Sequence, residues 1–139
     1  VNTDITTNLF TDAYVGVPLF GKFEFSDVPS EFKQISTSEI QFNSGGLYSI
    51  AVNLDMYTAL TDPIGIKVQI LKNNLSTATT TRYITSQRTE DYFSGNFTEY
   101  LDIQDGDIIK IQAMKATNLN STIRLNAAGT SSITISRIR

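Results

Sequence analysis

Phe42-Asn43-Ser44-Gly45-Gly46-Leu47-Tyr48-Ser49-Ile50-Ala51-Val52-Asn53-Leu54-Asp55-Met56 opens on a Gly-Gly break and continues as a run with period two. Tyr48, Ile50, Val52, Leu54 and Met56 fall on one parity. A strand sends alternate side chains to opposite faces, so this set faces one core. The other parity, Leu47, Ser49, Ala51, Asn53 and Asp55, begins apolar and small and turns polar only towards its end. An ordinary half-exposed strand carries Lys, Glu or Thr there from the start. The run is therefore expected to be buried twice, once by its own sandwich and once by another body, for which a second copy of the chain is the candidate.

Outward from this run the chain reads as strand and turn. Upstream, Glu39–Phe42 and Phe32–Ile35 are short strands, and 26–31 is a loop. Tyr14 to Phe25 holds Val15, Val17 and Leu19 on one parity, with a shift near Gly21 that suggests a bulge, and Pro18 puts this stretch at a sheet edge. Residues 1–13 are polar with a few apolar points, the pattern of an edge strand, a linker or the remnant of a stalk. Downstream, Asp62-Pro63 is a turn pair. Ile66, Val68 and Ile70 alternate with Lys67 and Gln69, and Asn73-Asn74 turns the chain, because Asn tolerates positive φ. The Thr-rich run 77–89 is a weaker, exposed strand. Phe97–Ile103 and Ile108–Ala113 flank the tight turn Gln104-Asp105-Gly106-Asp107. Ser121–Leu125 and Ser132–Ile138 form the last pair. No window shows a 3.6-residue apolar period. Roughly eight to ten short strands at these spacings predict an all-β antiparallel sandwich.

Composition sets the functional bounds. At 139 residues the chain is one domain of ordinary size. It has no Cys and no His, which removes disulfides, thiolate chemistry, the commonest general base and the commonest transition-metal ligand. A net charge of −3 with 18% charged residues offers no basic footprint for nucleic acid. No apolar run is long enough to cross a membrane as a helix. The start at Val1, not Met, is that expected of a processed or excised piece.

Ile40-x-Phe42-x-x-x-Gly46-Leu47-Tyr48-x-Ile50 resembles the strand-opening motif of the tumour necrosis factor superfamily and of the complement globular heads. Ile70-Leu71-Lys72-Asn73-Asn74 is similar to the strand of the complement heads that ends in Lys-Asn-Gly. Leu101-x-Ile103-Gln104-Asp105-Gly106-Asp107-x-Ile109-x-Ile111 is similar to the family's hydrophobic-x-x-Gly-Asp-x-hydrophobic turn. Ile133-x-Ile135 fits the place of its last strand, without the usual Phe-Gly before it. The resemblance covers residues 15–139. It implies a jelly roll of about ten strands, assembled as a homotrimer, with Leu47, Ser49, Ala51 and Tyr100 towards the neighbouring subunits and Tyr48 and Ile50 towards the core. The alternative is that the N-terminal segment of the same chain covers Leu47 and Ala51.

Other constellations carry less. Asp102, Asp105 and Asp107 crowd one turn, where oxygen ligands could hold Ca²⁺, but Leu101 and Ile103 occupy positions an EF-hand gives to ligands. Asp-Gly at a hairpin is the favoured reading. Glu90-Asp91-Tyr92-Phe93 is either an exposed acidic-aromatic loop that grips a partner through Tyr92 and Phe93, or a plug for the core. The sequons at Asn74, Asn96 and Asn120 carry little information in a chain this rich in Ser and Thr. Lys110, Lys115, Arg124, Arg137 and Arg139 are read as a solvated face. The reading that joins these points is a non-enzymatic trimeric knob of a viral or bacteriophage fibre or spike. It would sit on a virion or another extracellular surface, bind no cofactor, and present loops to a host glycan or protein. The alternatives are a monomeric carbohydrate-binding module, with Tyr92 or Tyr83 in its site, and a structural capsid or decoration subunit.

Overall fold

The computed structural model describes residues 1–22, 29–59, 62–76, 82–85 and 92–139, with backbone alone at residues 29, 76, 82 and 83. Among them lie eleven strands and one 3-10 turn, Pro29–Glu31. The strands are β1 (Val15–Gly16), β2 (Phe32–Ser36), β3 (Glu39–Phe42), β4 (Gly46–Thr58), β5 (Gly65–Lys72), β6 (Leu75–Ser76), β7 (Arg82–Thr85), β8 (Tyr92–Ile103), β9 (Ile108–Lys115), β10 (Ile123–Leu125) and β11 (Ser132–Arg137). All pairings are antiparallel. One sheet runs β2-β3-β9-β5-β6, with β7 on β5 and β1 on β9. The other has β4 at its centre, β8 along one side, and β10 and β11 sharing the other.

Alternation builds the core between the two sheets. Tyr48, Ile50, Val52, Leu54 and Met56 of β4 are at most 2% exposed. Opposite them stand Ile66, Val68 and Ile70 of β5, Ile109, Ile111 and Ala113 of β9, and Ile40 and Phe42 of β3, all buried. Burying an aliphatic side chain of this size stabilises the fold by roughly 1.5–3 kcal/mol. Tyr48 packs edge-on against Phe42, with ring centroids 4.8 Å apart, and Phe32 completes the trio. Its hydroxyl donates to the Ser44 carbonyl at 2.7 Å, so the polar tip of a fully buried ring is satisfied. Burial pushes that phenol above its usual pKa, and Glu31 adds to the effect.

The Gly45-Gly46 break has a steric cause. Gly46 has φ +152, and a Cβ there would lie 2.5 Å from the Arg139 carbonyl oxygen and 2.8 Å from Nε of Arg137. The C-terminal strand therefore lies hard against the start of β4. The Leu47 amide donates to the Arg139 carbonyl at 2.9 Å, and the Ile138 amide donates to Leu47 at 2.7 Å. Arg137, expected on a solvated face, clasps this corner by donating to Gly45 O at 2.7 Å and to Ser44 Oγ.

Several expectations change here. Residues 1–13, read as an edge strand, linker or stalk remnant, pack into the domain, with Asn2 and Leu9 fully buried and Phe10 nearly so. The Leu9 amide donates to Ile123 O at 2.7 Å, which fastens the segment along β10. Among the described residues of the stretch 14–25, only Val15–Gly16 pairs as a strand, although Val17, Leu19 and Phe20 are buried in the core. The strand that was expected from Phe97 begins at Tyr92. Asn73 and Asn74 turn with φ of 51 and 64, as their tolerance of positive φ predicts. Phe23, Phe25, Glu90, Asp91 and most of 77–89 lie outside the described residues.

The edge of β4 opposite β8 is closed in two pieces. β11 pairs with Tyr48–Asn53 and β10 with Met56–Thr58, which leaves a gap at residues 54 and 55. Ser131, fully buried, fills it. Its hydroxyl accepts from the Asp55 amide at 2.8 Å and donates to the Asp55 carbonyl at 3.2 Å, standing in for a missing strand residue. Asn2 Oδ1 accepts from the Ser131 amide at 2.9 Å, so the N-terminal segment locks this patch from behind.

Candidate assembly face

The outward face of the β4 sheet can be read row by row from the strand register. Leu47 lies beside Asp102. Next come Ser136–Ser49–Tyr100, then Thr134–Ala51–Thr98, then Ser132–Asn53–Asn96. Asp55–Ser94 follows, and Arg124–Tyr57–Tyr92 closes the face. The three central rows carry no charged side chain; charge is confined to the ends, in Asp102, Asp55 and Arg124. Their residues are short, apart from Tyr100, so a second backbone could approach closely, and their hydroxyls and amides could pair across the contact. Depletion of charge at the centre with polar groups at the rim is the usual anatomy of a protein interface.

Leu47, Ser49 and Ala51 are partly covered within the single chain, and Tyr100 is 64% exposed. The structure thus brings all four expected interface residues onto one surface. Ile138, 54% exposed and bonded to Leu47 through the backbone, extends the apolar corner and was not singled out in the sequence. The N-terminal segment, the alternative cover for Leu47 and Ala51, bonds to Gly21, Lys22, Lys115, Ile123, Ala127, Gly129 and Ser131.

Tyr92 and Phe93 part company. They begin β8 rather than tip a loop, and successive strand residues face opposite ways. Phe93 is 7% exposed and plugs the core, which removes it as a contact residue; Tyr92, at 57%, remains open. Its ring centroid is 5.3 Å from that of Tyr57, and the Arg124 guanidinium sits 4.9 Å above the Tyr57 ring.

At the turn between β8 and β9, the carboxylates hold backbone and side-chain donors. Asp105 Oδ1 accepts from the Gly45 amide. Asp107 accepts from the Gln104 amide at 2.9 Å and from Asn73 Nδ2 at 2.7 Å, while Asn73 Oδ1 takes the Ile108 amide. Burial opposes the charge on Asp107, but these donors together with nearby Lys72 outweigh it and lower its pKa. Among the described residues, no three acidic side chains converge as metal ligands would. Lys115, assigned to a solvated face, pairs with Asp12 at 2.5 Å. No helix among the described residues is long and apolar enough to cross a membrane.

No family model matches the sequence, and no curated protein matches it. Solved structures do. The structure of Eiger TNF from S. frugiperda aligns with a TM-score of 0.59 at 12% identity, over 91% of this chain and 85% of that one. The globular domain of zebrafish complement 1qA protein aligns at 0.57 and 9% identity, over 99% and 93%. Rabbit GITRL aligns at 0.50 and 18% identity, over 81% of each chain. Two packed antiparallel sheets, a core set by the even parity of β4, and these three alignments agree: the chain has the jelly-roll fold of tumour necrosis factor ligands and complement globular heads.

Proposed function

We propose that this chain is a non-enzymatic head domain that assembles as a homotrimer through the outward face of β4, β8 and β11. It would stand at the tip of a fibre or spike, on a virion or another extracellular surface, and present its loops for attachment to a host. The observation that carries the reading is the charge-free centre of that face, which holds the exposed Tyr100 and is flanked by Leu47 and Ile138. A monomer has no need to keep such a surface uncharged, whereas a symmetric assembly gains stability by burying it. A non-enzymatic role accords with a chain that holds neither Cys nor His, so that no Ser-His or Cys-His pair can form.

Gel filtration with in-line light scattering tests the assembly. The expected mass at micromolar concentration is three times the 15.4 kDa of one chain. A 15.4 kDa species under the same conditions would overturn the reading. Attachment is tested separately, by binding of the fluorescently labelled domain to candidate host cells. A trimer that binds no cells would be a structural capsid or decoration subunit.

A further inference from the structure

The last row of the outward face, Arg124–Tyr57–Tyr92, differs in kind from the neutral rows before it. We propose that this row, with Asp55 and Asn126 beside it, is a binding site for a carbohydrate that carries a carboxylate. Tyr92 is 57% exposed and presents an open aromatic platform, with the Tyr57 ring tilted at 52° beside it. The apolar C–H face of a pyranose ring packs on such a platform, and its hydroxyls project to the sides. Hydroxyl partners stand on the adjoining row. Asp55 Oδ2 accepts from Asn126 Nδ2 at 3.1 Å, and that pair leaves a carboxylate oxygen and an amide oxygen for further hydrogen bonds.

The choice of an acidic sugar rests on Arg124. Its guanidinium lies over the Tyr57 ring, 4.9 Å from the centroid, and among the described residues no carboxylate lies within ion-pair distance of it. A planar guanidinium held over a ring at an exposed site suits a bidentate carboxylate. The surroundings favour a sugar over a protein partner: among the described residues the neighbouring side chains include Ser94, Asn126 and Asp55, and no second exposed large apolar residue lies on this row or the next. The backbone beneath is rigid, because Ser131 and Asn126 both bond to the Asp55 main chain. Tyr57 is six residues beyond Ala51, or about 20 Å along the strand, so the row lies at the rim of the proposed contact and not at its centre.

The inference rests on the attachment reading above and names its ligand. Binding of sialyllactose, of a glucuronic-acid-terminated oligosaccharide and of neutral lactose is measured by saturation-transfer NMR and calorimetry on the intact chain, with scattering mass recorded for every sample. Acidic sugars are expected to bind and lactose to bind weakly or not at all. Tyr92→Ala and Arg124→Gln should each weaken acidic-sugar binding about tenfold, with Arg124→Lys between Arg124→Gln and the unmodified chain. Both side chains are at the surface, and an unchanged thermal melt confirms that the variants fold. Equal affinity for lactose, binding unaffected by Tyr92→Ala and Arg124→Gln, or no binding of any of the three sugars overturns the site. A trimeric mass with no sugar binding removes this site and leaves the assembly standing; a monomer that binds acidic sugar does the reverse.

Discussion

On the inward face of β4, Tyr48, Ile50, Val52, Leu54 and Met56 are sealed to 2% exposure or less by the opposite sheet. On the outward face of the same strand, Leu47, Ser49 and Ala51 are only partly covered, and they lie among Ser, Thr and Asn rather than Lys and Glu. One face is completed by the chain itself. The other has the residue types of a covered surface without the cover. Strand geometry makes the two faces neighbours in sequence but leaves them independent in packing, so a substitution one position along moves from one problem to the other.

That independence is open to attack from each side. Tyr48→Ala should have the largest effect, because it removes a fully buried ring from the trio with Phe32 and Phe42 and orphans the Ser44 carbonyl. A loss of about 3–5 kcal/mol is expected in denaturant unfolding of the domain. Assembly should fail with it, because the protomer fails. Leu47→Asp, one residue away, should separate the two faces. It places a carboxylate beside Asp102 on the outward side, and forcing a charge into an apolar contact costs on the order of 2–4 kcal/mol. The scattering mass should fall to a single chain while the circular dichroism spectrum keeps its strand signature. A Leu47→Asp protein that remains trimeric would show that assembly uses another surface.

A subtler break is available at the seam between β10 and β11. Ser131→Ala leaves the Asp55 amide without its acceptor inside the sheet. The expected loss is about 1–3 kcal/mol, read as a drop in the unfolding midpoint, with Ser131→Thr tested as a partial rescue. Because Asn2 bonds to the same residue, deletion of residues 1–3 should lower stability through the same patch, and the two changes should be less than additive.

The sequence was most legible where one face alone decides a residue's fate. β3, β5, β9 and the inward parity of β4 follow from alternation, and the Asn73-Asn74 and Asp105-Gly106 turns follow from backbone preference. Legibility failed where polarity on one face hid a strand. Ser94 and Asn96 carry no strand signal, because the outward face of β8 is neutral and polar from Ser94 to Thr98. Its inward face is interrupted by Gly95, where a Cβ would meet the Ile84 side chain at 2.7 Å, and by the buried Glu99. The alternation that marks β8 is therefore clear only from Phe97 onward. The N-terminal segment was obscure for a different reason. Asn2, Leu9 and Phe10 are buried without forming a ladder, so no period announces them. Ser131 could not be picked out at all, since its role depends on a gap between strands distant in sequence.

The smallest expected effect compares the N-terminal segment with the turn between β8 and β9 through acid titration. Asp4 accepts from the Thr6 amide at 2.7 Å and from the Thr7 hydroxyl at 2.7 Å, and these bonds lower its pKa from 3.8 to about 2. Asp107, in the turn after β8, is lowered as well. A carboxyl group whose pKa is depressed by folding contributes stability above its unfolded value and loses it as pH falls through the folded one. Stability should therefore be flat near neutral pH and decline below about pH 4, with the Asp4 contribution fading between 3.8 and about 2. Denaturant midpoints measured across that range should show a shallower acid slope for Asp4→Asn than for the unmodified chain. Because Asp4 helps shape the segment that carries Asn2 and Leu9, the same variant should loosen the attachment of that segment to β10 slightly, seen as faster amide exchange at Leu9 with the exchange of Ile50 and Val52 unchanged. Faster exchange at Ile50 and Val52 in this variant would mean that the N-terminal segment supports the whole core, and that the packing of the inward face of β4 depends on it.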